Sequence, residues 1–99
     1  MNHKLAGALG LCCRAGKLIV GIGLVREALR SGKAALVVLA ADTASNGENK
    51  IISLAEHRHV PVHRSDLSKM ELGAALGKEG AVAAVAVPKE FLNLVLASL

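Results

Sequence analysis

Aromatic residues are nearly absent. Phe91 stands alone, with no Trp and no Tyr. Single-strand binders stack bases on several exposed rings, and this chain cannot supply such a platform. Its core must instead be built from Leu, Ile, Val and Ala. Cysteine is scarce too: Cys12 and Cys13 are adjacent. Neighbours in regular structure cannot form an ordinary bridge, so there is no disulfide framework. A reducing compartment fits, with both thiols as small core residues on a helix. No apolar run approaches the roughly 18 residues of a membrane span. Arg14 and Lys17 follow the start Met1-Asn2-His3-Lys4 too soon for a signal-peptide core. A soluble, cytoplasmic protein without membrane partners is expected.

What is there is a small aliphatic chain. Its 99 residues are 53% hydrophobic and 20% charged, which excludes disorder and predicts one domain over residues 1–99. Net charge is +4 and unevenly spread. Residues 1–35 hold Lys4, Arg14, Lys17, Arg26, Arg30 and Lys33 against Glu27 alone, a net +5. The remaining residues hold six bases and seven acids, a net −1. Such asymmetry points to an anionic partner on one side, or to a plain solubility surplus.

Periodicity places the elements. Leu5, Leu9 and Cys12 share a face, so residues 3–14 read as a helix, which Asn2 can cap. Ala15-Gly16 ends it. Lys17 to Val20 reads as a short strand, and 22–31 as a second helix with Gly32 just past its end. Ala34 to Ala40 and Ala81 to Val87 are continuous apolar runs of strand length, covered on both faces. Ser45 with Glu48, and Ser68 with Glu71, have capping-box spacing and open a third helix to about Arg58 and a fourth to Leu76. Val60-Pro61-Val62 reads as a short strand, near an edge because of the proline. Pro88 suits the first turn of a last helix, 89–98. Strands alternating with helices predict an α/β fold with helices on both faces of a mostly parallel sheet.

Two constellations could carry chemistry. Val20-Gly21-Ile22-Gly23 places a Gly-x-Gly turn between a strand and a helix, and Asp42 ends the next strand nineteen residues on. That is how a dinucleotide fold begins. Arg26, however, occupies the place of the third glycine, which normally permits close helix–strand packing. The second group is His57, His59 and His63, interleaved with Arg58 and Arg64. Three imidazoles invite a zinc reading, but flanking arginines repel a cation, and a polar rim able to meet phosphates is the plainer account. No nucleophile sits in a catalytic setting, and Gly77-Lys78 follows a helix rather than a strand, so it is no phosphate loop.

Five segments, in order, resemble one family. They are Gly10-Leu11 through Arg14-Ala15-Gly16-Lys17-Leu18; Gly21 leading into 25–34; Leu36 to Asp42; Val60-Pro61-Val62; and Glu71 to Lys78. The chain resembles, over about residues 5 to 96, the ribosomal protein "L seven Ae" superfamily, most closely its small bacterial members of the YlxQ type. The resemblance implies a three-layer α/β/α sandwich on a four-stranded mixed sheet. It implies binding of structured RNA, kink-turn or ribosomal, with no catalysis and no cofactor, and ribosomal or other proteins as further partners. The family's RNA-reading motif, Gly-x-Asn-Glu-x-x-Lys, lies at the start of the second helix. Here Gly21 matches, while Gly23, Leu24 and Glu27 replace the Asn, Glu and Lys. The expected RNA contacts are Lys17, Gly21, Gly23, Arg26, Arg30 and Lys33 around that helix, with Arg64 and Lys69 in the loop after the third strand. An alternative is a member that has exchanged RNA reading for a protein partner on exposed Ile22-Gly23-Leu24. A nucleotide-binding enzyme half is the remaining one.

Overall fold

The computed structural model describes residues 2–99, so Met1 lies outside the described residues. The elements follow the expected order: α1 (His3–Arg14), β1 (Ile19–Val20), α2 (Ile22–Arg30), β2 (Leu36–Leu39), α3 (Ser45–His57), β3 (Val62–Arg64), α4 (Lys69–Ala75), β4 (Ala84–Val87), a 3-10 turn (Lys89–Phe91) and α5 (Leu92–Leu96). Among the described residues, no helix is long and apolar enough to cross a membrane.

The four strands form one sheet in the order β1-β4-β2-β3. β4 runs antiparallel to both neighbours, and the parallel pairing is β2 with β3. The sheet is mixed, and the expectation that it is mostly parallel is corrected. Continuous apolar runs report burial on both faces, which holds for any central strand whatever its direction. β2 and β4, the two runs, are indeed the central pair and are wholly buried.

Alternation then sorts the core into two layers. Leu36, Val38, Val85 and Val87 face one side, where Leu5 and Leu9 of α1, Leu72 of α4 and Val95 of α5 meet them. Val37, Leu39, Ala84 and Ala86 face the other, against Val25 and Leu29 of α2 and Ile51 and Ala55 of α3. This is the three-layer sandwich, with α2 and α3 side by side on one face.

The local signals fare unequally. Asn2 caps α1, its Oδ1 accepting from the Leu5 N–H at 3.0 Å. Ser68 and Glu71 form the capping box of α4. The same spacing fails at Ser45, which is already helical behind an uncapping Ala44. There Glu48 turns to Arg64 instead. The third strand lies two residues beyond its expected start. His59, at φ 58, closes the end of α3, and the Val60 N–H returns to Ala55 O at 2.9 Å. The last helix is split, its first turn being 3-10.

Candidate nucleic-acid interface

β1, β2 and β3 all point the same way, because each of β1 and β2 opposes β4 and β3 follows β2. The helices that follow them, α2, α3 and α4, therefore all begin at one end of the sheet. Helix starts carry unpaired N–H groups and the positive end of the peptide dipoles. That end is where an anion is favoured.

Gly21 makes the first of these starts. Its φ of 102° is one that side chains rarely adopt. Its N–H donates to Ala84 O at 2.9 Å, the last bond from this edge to β4. The chain then turns directly into α2 with no capping side chain over the first turn. Gly23 faces open space, and Leu24 is 63% exposed. Ile22 turns inward: a Cβ on Gly47 of α3 would stand 2.9 Å from its Cδ1. The first turns of α2 and α3 are thus in contact. The apolar patch expected at Ile22-Gly23-Leu24 is reduced to Leu24.

On the far side, Arg64 ends β3 in the row of Leu39 and Ala84, level with Gly21's end of the sheet. Its Nε lies 2.8 Å from Glu48 Oε1 in the first turn of α3. The following loop is held firmly. The buried Ser65 Oγ donates to Leu39 O at 2.7 Å, and Leu67 is fully buried. The Asn2 N–H donates to Asp66 Oδ1 at 3.0 Å and holds that carboxyl below the usual carboxylate range. Lys69 opens α4, and its N–H donates to Asp42 Oδ1 at 2.7 Å.

The expected contacts do not form one cluster. Gly21, Gly23, Arg64 and Lys69 share the end of the sheet just described. Lys17 and Lys33 stand at the other end, lining one depression with Lys89 and Glu90. The length of α2 separates the two groups, about 14 Å for nine residues. Arg26 and Arg30 point from α2 toward α3. They line a groove of about 480 Å³ with Asn46, Asn49, Lys50, Ser53, Leu54 and His57. Arg30 also approaches Glu27 at 3.8 Å. Of these α3 residues the sequence singles out His57 alone, although 46, 49, 50, 53 and 57 recur at helical spacing as a polar stripe.

The other constellations dissolve. β4 lies between β1 and β2, so no pair of adjacent parallel strands flanks the Gly-x-Gly turn, and Asp42 accepts from the Lys69 N–H in the first turn of α4. His57 lines the α2–α3 groove while His63 lies in β3. Among the described residues, no group of three or more His, Cys, Asp or Glu is placed to hold a metal.

Comparison with known proteins fits this architecture. The model of the Ribosomal protein L7Ae/L30e/S12e/Gadd45 family matches residues 3–94. The chain belongs to this family. It is 33% identical to the RNA-binding protein YlxQ of Bacillus subtilis over 91 residues, covering 92% of this chain and 90% of that one. It is 32% identical to the large ribosomal subunit protein eL30 of Methanocaldococcus jannaschii, covering 96% and 86%. Among solved structures, a Bacillus halodurans protein of unknown function superimposes with TM-score 0.87 at 26% identity, covering 99% and 97%. A Giardia lamblia 15.5kD RNA binding protein has the same fold, with TM-score 0.78 at 21% identity, covering 96% and 81%. Gly23, Leu24 and Glu27, the positions expected to carry the RNA-reading motif, are all exposed on α2.

Proposed function

We propose that this protein is a non-catalytic RNA-binding protein, ribosomal or ribosome-associated, of the kink-turn-binding type but with its base-reading residues lost. The whole chain acts as one RNA-binding domain. The observation that carries the reading is the uncapped start of α2 at Gly21, in a chain that belongs to the L7Ae family. Backbone donors there can meet phosphate oxygens. Lys69 adds a permanent positive charge at the same end, and Arg64 adds another, half-spent on Glu48. Lys17 and Lys33 extend the cationic surface to the far end of α2.

Phosphate contacts position an RNA, whereas base contacts specify it. Gly23 and Leu24 offer no side-chain donor or acceptor to a base edge, and Glu27 brings a negative charge. Each good base contact contributes about 1–3 kcal/mol of discrimination, so affinity should outlast specificity. The test is a titration of a kink-turn RNA and a plain RNA duplex at two salt concentrations. Comparable, salt-sensitive binding to both is expected. Absence of binding to either at low salt overturns the reading.

A protein-docking role is favoured by one observation, the 63% exposure of Leu24. A single leucine, with Ile22 turned inward, is a small anchor beside the charged surface around it.

A further inference from the structure

We propose that the groove between α2 and α3 is a second RNA contact, which takes a stretch of phosphate backbone along the side of the molecule. This rests on the RNA-binding reading above and adds to it a surface outside the motif face of α2.

The two helices contribute cations by periodicity. Arg26 and Arg30 are one turn apart on α2, and Lys50 faces them from α3, all lining the same groove, with His57 as a further polar group. Among the described residues no carboxylate lines it, although Glu27 approaches Arg30 at 3.8 Å from outside the groove. The acids of α3 are on the side toward β3: Glu48 pairs with Arg64, and Glu56 lines a separate hollow with Val62 and Arg64. Charge on α3 is thus divided lengthwise, basic toward α2 and acidic toward β3. A merely solvated helix has no reason to sort its charges so.

Arg26 supplies the second observation. Its Nε is buried with no hydrogen-bond partner, the one such side-chain atom among the described residues. A buried unpaired donor is costly, more so on a charged group. The usual relief for a guanidinium at a surface is a carboxylate, and here none faces it. A phosphate in the groove would give the charge its counterion. Asn46, Asn49 and Ser53 complete the lining with amide and hydroxyl groups, the side chains that hydrogen-bond phosphate oxygens. Among the described residues Leu54 is the one large apolar side chain in it, too little for the apolar anchor that a protein partner needs. The groove also leads from the α2 entry, since the first turns of the two helices touch at Ile22 and Gly47. One RNA strand can leave the sheet end and continue along it.

The test uses the double variant Arg30→Gln/Lys50→Gln, both exposed residues, and, separately, Asn49→Glu, which puts a carboxylate in the groove. The probes are a kink-turn hairpin, a plain RNA duplex and poly-glutamate, titrated across salt. A charge-matched control, Lys4→Gln/Arg14→Gln, changes α1 on the opposite face. Far-ultraviolet circular dichroism checks folding. The groove double variant should flatten the log–log salt dependence of RNA binding by about two units, roughly one per lost phosphate contact. Asn49→Glu should weaken both RNAs, and the α1 control should keep the parent's slope. RNA binding by the parent with an unchanged slope in the groove variant overturns the groove but leaves the family reading standing. An equal loss in the α1 control means a general field and also overturns it. Loss confined to poly-glutamate makes an acidic protein the occupant and rejects RNA. Silence of the parent toward every RNA removes the wider reading and the groove with it.

Discussion

Arg64 Nε lies 2.8 Å from Glu48 Oε1, so a base at the end of β3 that should meet RNA is held by an acid of its own fold. The pair joins the end of β3 to the first turn of α3 and sits at the end of the sheet where the helices begin. Its Arg side is 64% exposed and its Glu side 23%. A pair this open contributes about 0.2–1 kcal/mol to stability. It also withholds one charge from a polyanion.

Glu48→Gln should therefore cost less than about 1 kcal/mol in stability and release Arg64. At low salt, affinity for structured RNA should rise on the order of threefold to tenfold, the scale of one added phosphate contact. Denaturant titration and RNA binding on the same preparation check both halves. Unchanged or weakened binding would place Arg64 outside the footprint.

Restoring the motif, Gly23→Asn with Leu24→Glu and Glu27→Lys, should raise the preference for a kink-turn over a plain duplex. A Cβ at Gly23 meets nothing within 4 Å, and Leu24 and Glu27 are exposed, so the three side chains fit without rearrangement. At about 1–3 kcal/mol per good base contact, the preference should grow at least tenfold. The ratio of the two Kd values is the readout. A ratio that does not move means that α2 is not the reading helix in this chain.

Much of this was legible in the sequence because local and tertiary signals agreed. The helical period of Leu5, Leu9 and Cys12, the Ser68–Glu71 capping box and the apolar runs at 34–40 and 81–87 all marked real elements. Sheet direction was not legible. The strands that carry Val85 and Val38 are buried on both faces in an antiparallel pairing as they would be in a parallel one. The Ser45–Glu48 spacing misled, because a tertiary partner, Arg64, competed for the carboxylate. The basic residues around α2 were visible as a list but not as a place. Only the packing of α2 beside α3 brings Arg26 and Arg30 to one groove with Lys50, and only the length of α2 carries Lys17 and Lys33 away from Gly21.

Two glycines should respond in opposite directions to alanine. Gly73 of α4 lies under the carbonyl of Gly80, where a Cβ would overlap the oxygen and only backbone could yield. Gly73→Ala should lose about 1–3 kcal/mol. For a domain this small each kcal/mol lowers the Tm by about 4–8 °C. Gly23→Ala, in open space on a helix, should gain up to about 1 kcal/mol from propensity alone. Thermal melts of the two variants and the parent give the comparison. A stabilised Gly73→Ala would mean that the 73–80 approach is looser than the structure has it.

Alkaline pH should unfold the protein through Cys12. The thiol is fully buried on α1, and burial pushes it from 9.0 up to about 11, with smaller contributions from the neighbouring Cys13 and from Glu90. Between those values the unfolded chain has lost the proton and the folded chain keeps it. The folded state then binds more protons, so stability falls as pH rises. Below about pH 9 the contribution is intact, and it is gone once pH has passed about 11. Cys12→Ala leaves no ionisable group at that site, at the cost of a small cavity. Its denaturation midpoint should therefore start lower at pH 8 and fall less between pH 9 and pH 11 than the parent's. Parallel slopes for the two proteins would show that another group drives alkaline unfolding.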